Sequence, residues 1–145
     1  MDSRCFKGRL SSKERAWILI SIWVMNIVLW IAQILLALVF FVSGIAKSTF
    51  SKQKFINTKQ TGVVDLPMPL VRFIGISEIL GSVGLVLPWL LGILPVLTPL
   101  SAICLSIMMI LAAKKHAGLH EPANVRNNFI LLIVCLFVAV GRLFA

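Results

Sequence analysis

Arg72-Phe-Ile-Gly-Ile-Ser-Glu78-Ile-Leu-Gly-Ser-Val-Gly-Leu-Val-Leu-Pro88 places a single acidic residue inside a run that otherwise has membrane-crossing character. An ionisable side chain in hydrocarbon costs on the order of 3 kcal/mol, so such a residue is retained for a site or a partner. Glu78 is therefore the first candidate for function. The rest of the chain agrees with the membrane reading: 59% of residues are hydrophobic, 13% are charged and the mean hydropathy is +1.01. Soluble domains carry roughly 25% charged residues. The sequence reads as an integral multi-pass membrane protein in contact with the lipid bilayer.

Outward from Glu78, charges divide the chain into spans. Ala16–Ala46 carries no charge; as a helix it would extend about 46 Å against roughly 30 Å of hydrocarbon, so it is long, tilted or partly interfacial. Ser11 and Glu14 form a capping-box pattern ahead of it, which starts the helix before the membrane does. The uncharged stretch between Glu78 and Lys114 is too long for one crossing and is broken by Pro88, Gly92, Pro95 and Pro99. Proline removes a donor and clashes with the preceding turn, so this cluster predicts a tight hairpin between two helices, with Pro99 tolerated in the first turns of the second. Asn127–Gly141 is a short last span, and Arg142 behind it must snorkel to the interface or face the bundle interior.

The predicted fold is all-α. A basic N-terminal tail at 1–15 precedes a domain at 16–145, an integral membrane four-helix bundle with helices at about 16–46, 70–88, 93–115 and 127–143 and both termini on the same side. Arg4, Lys7, Arg9, Lys13 and Arg15 before an apolar run also suit a signal peptide. The run is about twice the length of a signal h-region and lacks a small-x-small cleavage site, which favours an uncleaved anchor. Basic residues nearly balance across the two faces, so the positive-inside rule is indecisive; weighting the first helix puts the N-terminus in the cytoplasm.

The net charge of +9 resides in residues flanking apolar spans. Attraction of juxtamembrane lysines to anionic headgroups explains it, and nucleic-acid binding is excluded. Cys5, Cys104 and Cys135 form no CxxC pair and no zinc spacing, and read as small packing residues, although Cys104 and Cys135 could share a depth.

Helical phase at 100° per residue gathers Asn26, Gln33, Ala37, Phe40, Gly44 and Lys47 on one stripe of the first helix, with Trp30 at its edge. Arg72, Gly75, Glu78 and Ser82 share a stripe of the second helix. Thr98, Ser101, Met109, Ala112 and His116 share one of the third, and Asn128, Cys135, Ala139 and Arg142 one of the fourth. Small residues on such stripes serve close helix packing in lipid. Lys47, Arg72, His116 and Asn128 lie toward one membrane face, with Glu78 about 9 Å deeper than Arg72 by the helix rise. The expected site is a polar funnel formed by Glu78, Lys47, Arg72, His116, Gln33 and Asn128, in which Lys47 is the first choice of partner for Glu78 and His116 the second. His116, His120 and Glu121 have spacing that could hold a metal, but Gly118 and Pro122 interrupt a regular helical site, and no metal is expected. The segment 48–69 mixes apolar residues with lysines and is read as either a cap on the funnel or a plain linker.

Phe40-Phe41-Val42-Ser43-Gly44-Ile45-Ala46-Lys47, Pro67 to Arg72, Gly75-Ile-Ser-Glu78-Ile-Leu-Gly81, Gly84-Leu-Val-Leu-Pro88 and Ala112 to His116 resemble the DoxX-like family of small membrane proteins, over about Gln33 to Arg142. The resemblance implies a four-helix membrane bundle, often in the bacterial cytoplasmic membrane. Its relatives are linked to quinone-coupled thiosulfate oxidation and to membrane-bound redox-defence complexes. Eukaryotic relatives look like assembly chaperones for membrane receptors, so the fold does not fix the activity. The basic tail and the long first span lie outside the family pattern.

Three functions follow as expectations. The first is a redox-associated membrane subunit binding a quinone-like or other lipophilic small molecule. The second is a non-catalytic assembly factor or scaffold engaging a membrane protein partner or a second copy. The third is a small-solute or proton transporter, weakened by the lack of an inverted repeat. The sequence carries no haem, flavin or cluster signature, so no intrinsic cofactor is expected beyond a quinone, and any enzymatic role would be that of an accessory subunit.

Overall fold

The computed structural model describes residues 11–58 and 61–144. Arg4, Lys7 and Arg9 of the expected basic tail, together with Cys5 and Lys59, lie outside the described residues. The elements are α1 (Ser12–Thr49), α2 (Lys52–Asn57), α3 (Thr61–Val64), α4 (Met68–Leu91), α5 (Leu97–Gly118) and α6 (Pro122–Leu143), with no strand among the described residues. Four of them, α1, α4, α5 and α6, are long and apolar enough to cross a membrane.

α1 begins at its capping box: the Ser11 backbone N–H donates to Glu14 Oε2 at 2.7 Å, satisfying a donor that the first helical turn leaves free. Only its second half is packed. Leu29, Gln33, Leu36, Phe40 and Gly44 are buried at three- and four-residue spacing, whereas every residue from Ser11 to Val28 is exposed, Trp17 and Trp23 each by about 70%. The helix is thus a bundle member joined to an apolar overhang of about 25 Å by the helix rise.

The α4–α5 hairpin forms where the prolines predict it. Pro88 lies in the last turns of α4, and Gly92 takes the left-handed conformation (φ 65°) that closes the helix. Pro99 is buried in the first turn of α5, where an N–H has no intrahelical acceptor to lose. α6 starts earlier than the polar run Ala123–Asn127 implied, because Pro122 sits in its first turn, where proline is already shaped for helix.

α1 packs chiefly on α4 and α5 chiefly on α6, the two pairs meeting along α4 and α5. Their shared core includes Leu36, Phe40, Leu85, Leu105 and Val138. Lipid is as apolar as these side chains, so the cohesion comes from close packing rather than from escape from water. The tightest point is the α1–α4 crossing: a Cβ on Gly44 would lie 2.7 Å from the Gly75 carbonyl oxygen, and one on Gly75 would lie 2.7 Å from the Gly44 carbonyl oxygen. Only glycine at both positions lets the two backbones touch.

Candidate functional site

That crossing builds the site. Lys47 is one turn beyond Gly44 on α1, and Glu78 is one turn beyond Gly75 on α4, so backbone contact brings the two side chains together. Lys47 Nζ donates to Glu78 Oε1 at 2.5 Å. Glu78 is 1% exposed, while the Lys47 side chain retains 18% and reaches the surface. Glu78 Oε2 is buried and has no hydrogen-bond partner among the described residues. A carboxylate accepts at two oxygens, and here one is committed to the ammonium while the other is free to accept.

The other expected members of the funnel are placed elsewhere. Arg72 is exposed on α4. Asn128 is half-buried on α6 with no recorded side-chain bond. His116 does not reach Glu78: its Nδ1 donates to Glu121 Oε2 at 2.7 Å. Thr61 Oγ1 at 2.8 Å and Asn124 Nδ2 at 2.9 Å donate to the same oxygen. These hydrogen bonds, Thr61 foremost, then Asn124 and His116, hold the Glu121 carboxyl down at about 2. The cluster ties α3 to the α5–α6 turn. Gly62 completes it, because a Cβ there would meet the His116 ring at 2.8 Å. Beside it, Lys115 and Asp65 pair loosely at 3.4 Å.

The described residues on either side of 59–60, 48–58 and 61–69, accordingly fold onto the bundle. Phe55 of α2 is fully buried and stacks obliquely on Phe50, with Lys54 3.9 Å over the Phe50 ring. His120 adopts a left-handed conformation (φ 57°) in the turn, and among the described residues no three His, Cys, Asp or Glu side chains converge as a metal site would require. A surface depression of about 670 Å³ at this turn is lined by His120, Glu121, Arg126 and Phe129 among others, away from Glu78. Cys104 is exposed and Cys135 buried, each as a free thiol.

Gln33 lies at the opposite end of the bundle and is fully buried. Its Nε2 donates to the Leu85 carbonyl at 2.5 Å, and its Oε1 accepts from Arg142 Nε at 2.7 Å. Arg142 is turned inward rather than snorkelling, and its Nη1 also donates to Asn26 Oδ1 at 2.8 Å. The expected single funnel is therefore three groups: a buried ion pair, a clasp at the α5–α6 turn and an Arg–amide group at the far end.

A family model described as the DoxX-like family matches residues 31–138. The chain belongs to the DoxX-like family. The matched segment contains the packed part of α1 from Ile31 onward, the glycine crossing and the Lys47–Glu78 pair of this DoxX-like bundle, while the buried Leu29 and the apolar overhang of α1 precede it. No curated protein and no solved structure matches the chain.

Proposed function

We propose that this DoxX-like membrane protein is a redox-associated subunit that binds a lipophilic molecule of the quinone class at the Lys47–Glu78 pair. The observation that carries the reading is the buried, unpartnered Oε2 of Glu78 beside a partly accessible ammonium. Unsatisfied buried polar atoms are uncommon, because each costs about 1–3 kcal/mol. A ring hydroxyl would satisfy Oε2 as donor, and a ring carbonyl would accept from Lys47 Nζ, so both oxidation levels of such a ligand find a complement. Bound there, the ligand supplies the electron chemistry. Glu78 Oε2 would accept or return one hydroxyl proton while Lys47 keeps the carboxylate paired, and the second proton would leave through the side on which Lys47 reaches the surface. The two electrons would have to be exchanged with a redox carrier on a partner protein.

Gentle purification, solvent extraction and quantification of quinones test this. Wild-type protein is expected to retain a quinone that Glu78→Gln and Lys47→Gln lose, with helicity unchanged. Equal retention in folded variants refutes it.

A second reading, assembly factor or scaffold, is favoured by the overhang of α1. Its exposed apolar side chains from Trp17 to Val28 offer a membrane partner a helix to pack on. Loss of a co-purifying polypeptide on deleting 12–24, with quinone content unchanged in every variant, would select it.

A further inference from the structure

We propose that Arg142 anchors a second site, one that takes a phosphate-type oxyanion at the end of the bundle where α4 turns into α5. Arg142 lies in the last turn of α6 and is 4% exposed. Its guanidinium sits 4.3 Å from the Trp89 ring centroid and 5.3 Å from that of Trp30. Nε and Nη1 donate to the side-chain oxygens of Gln33 and Asn26. Nη2 is buried and has no acceptor among the described residues.

Every recorded neighbour of this cation is neutral: two amides and two indoles. The four carboxylates among the described residues are engaged elsewhere. Glu14 caps α1, Asp65 meets Lys115, Glu78 meets Lys47 and Glu121 meets His116. A guanidinium stays charged at any physiological pH, and a buried charge is ordinarily paired. Amide oxygens satisfy two of its donors but carry no net charge, so among the described residues Nη2 lacks an acceptor and the cation a counter-charge, the complement that a bound anion would supply.

The surroundings suit a phosphate oxygen. A guanidinium edge matches phosphate geometry, and the indoles form the walls. Both rings are half-buried, and the proposed anion would reach Nη2 past one of them. Tryptophan and a helix-terminal arginine at a bundle end also mark the headgroup level of a bilayer, where lipid phosphates lie. Thr98 Oγ1, in the first turn of α5 at the same end, is another buried polar atom without a partner among the described residues.

The test uses the full chain in maltoside micelles, which carry no phosphate. Wild type in these micelles is compared with wild type in the same micelles plus phosphatidylglycerol, and plus inorganic phosphate. The readouts are unfolding temperature and phospholipid retained in native mass spectrometry. Wild type should be stabilised by an anion, and Arg142→Gln should weaken its retention about tenfold, the weight of one charge-assisted hydrogen bond. Lys114→Gln, on the opposite face, should not. Stabilisation by phosphatidylglycerol alone assigns a lipid headgroup; stabilisation by phosphate assigns a soluble oxyanion. If Arg142→Gln does not fold, Trp89→Leu keeps the cation, removes a wall and should still lower retention. No anion effect in wild type, or an effect equal in Arg142→Gln, overturns the site.

Discussion

Replacing Lys47 by methionine removes the one partner, among the described residues, of a carboxylate whose side chain is 2% exposed. The Coulomb attraction of two unit charges at about 4 Å is roughly 4 kcal/mol at an effective dielectric of about 20, most of it offset by desolvation in the intact pair. Removing one partner exposes the desolvation cost of the other. Breaking buried pairs in this way costs about 3–5 kcal/mol, and the residual exposure of Lys47 places the expected loss at the lower end, about 3 kcal/mol. Removing both charges should cost far less. Lys47→Met with Glu78→Leu eliminates the unpaired group and leaves the crossing intact, with an expected loss within about 1 kcal/mol of zero. A double-mutant cycle by reversible SDS unfolding in mixed micelles should thus give a coupling energy of about 2 kcal/mol or more. Additivity of the two single changes to within about 0.5 kcal/mol would refute the pairing and remove the basis of the proposed site.

Gly75→Ala forces a Cβ against the Gly44 carbonyl and should cost about 1–3 kcal/mol in the same assay, as overpacking does. Gly118→Ala meets nothing within 4 Å and should be neutral or stabilising by up to about 1 kcal/mol. The Glu121 carboxyl is lowered from 4.5 to about 2. Its contribution is therefore complete above pH 4.5 and fades as pH falls through about 2, because the unfolded chain takes up the proton first. Hydrogen exchange of the α3 amides should show that loss of protection, and Glu121→Gln should abolish its pH dependence. Leu36→Ala, in the core, should cost about 2–5 kcal/mol, while Trp23→Ala, on the overhang, should shift stability by no more than about 0.5 kcal/mol; equal costs would show that the overhang is packed.

The spans were legible because charge and proline are strong punctuation in a membrane chain. Uncharged runs set the four helices, and Pro88 to Pro99 set the hairpin. Phase puts Gly44 and Lys47 on one stripe of α1 and Gly75 and Glu78 on one stripe of α4, and their opposite charges toward one membrane face make Lys47 the first choice of partner for Glu78. The funnel was not resolved into its parts because phase ignores which neighbour a stripe faces. Gln33 shares a stripe with Lys47 but lies several turns away at the other end, and only the packing of α6 shows that Arg142 reaches it. His116 ranks as the second choice of partner for Glu78 because it lies toward the same face. The tight α5–α6 turn, with His120 at positive φ, brings Glu121 nearer, and a residue in left-handed conformation leaves no periodic signature. α2 and α3, at six and four residues, are too short for periodicity to mark.

The uneven packing of the helices has a mechanical consequence. α1 and α4 are locked by touching backbones, α5 and α6 form the opposing leaf, and the hairpin between α4 and α5 is the spine that joins them. The free edge is the sparse seam of α1 against α6, and Arg142 fastens it through Gln33 and Asn26. The two leaves would part first along that edge, with the arginine as its latch.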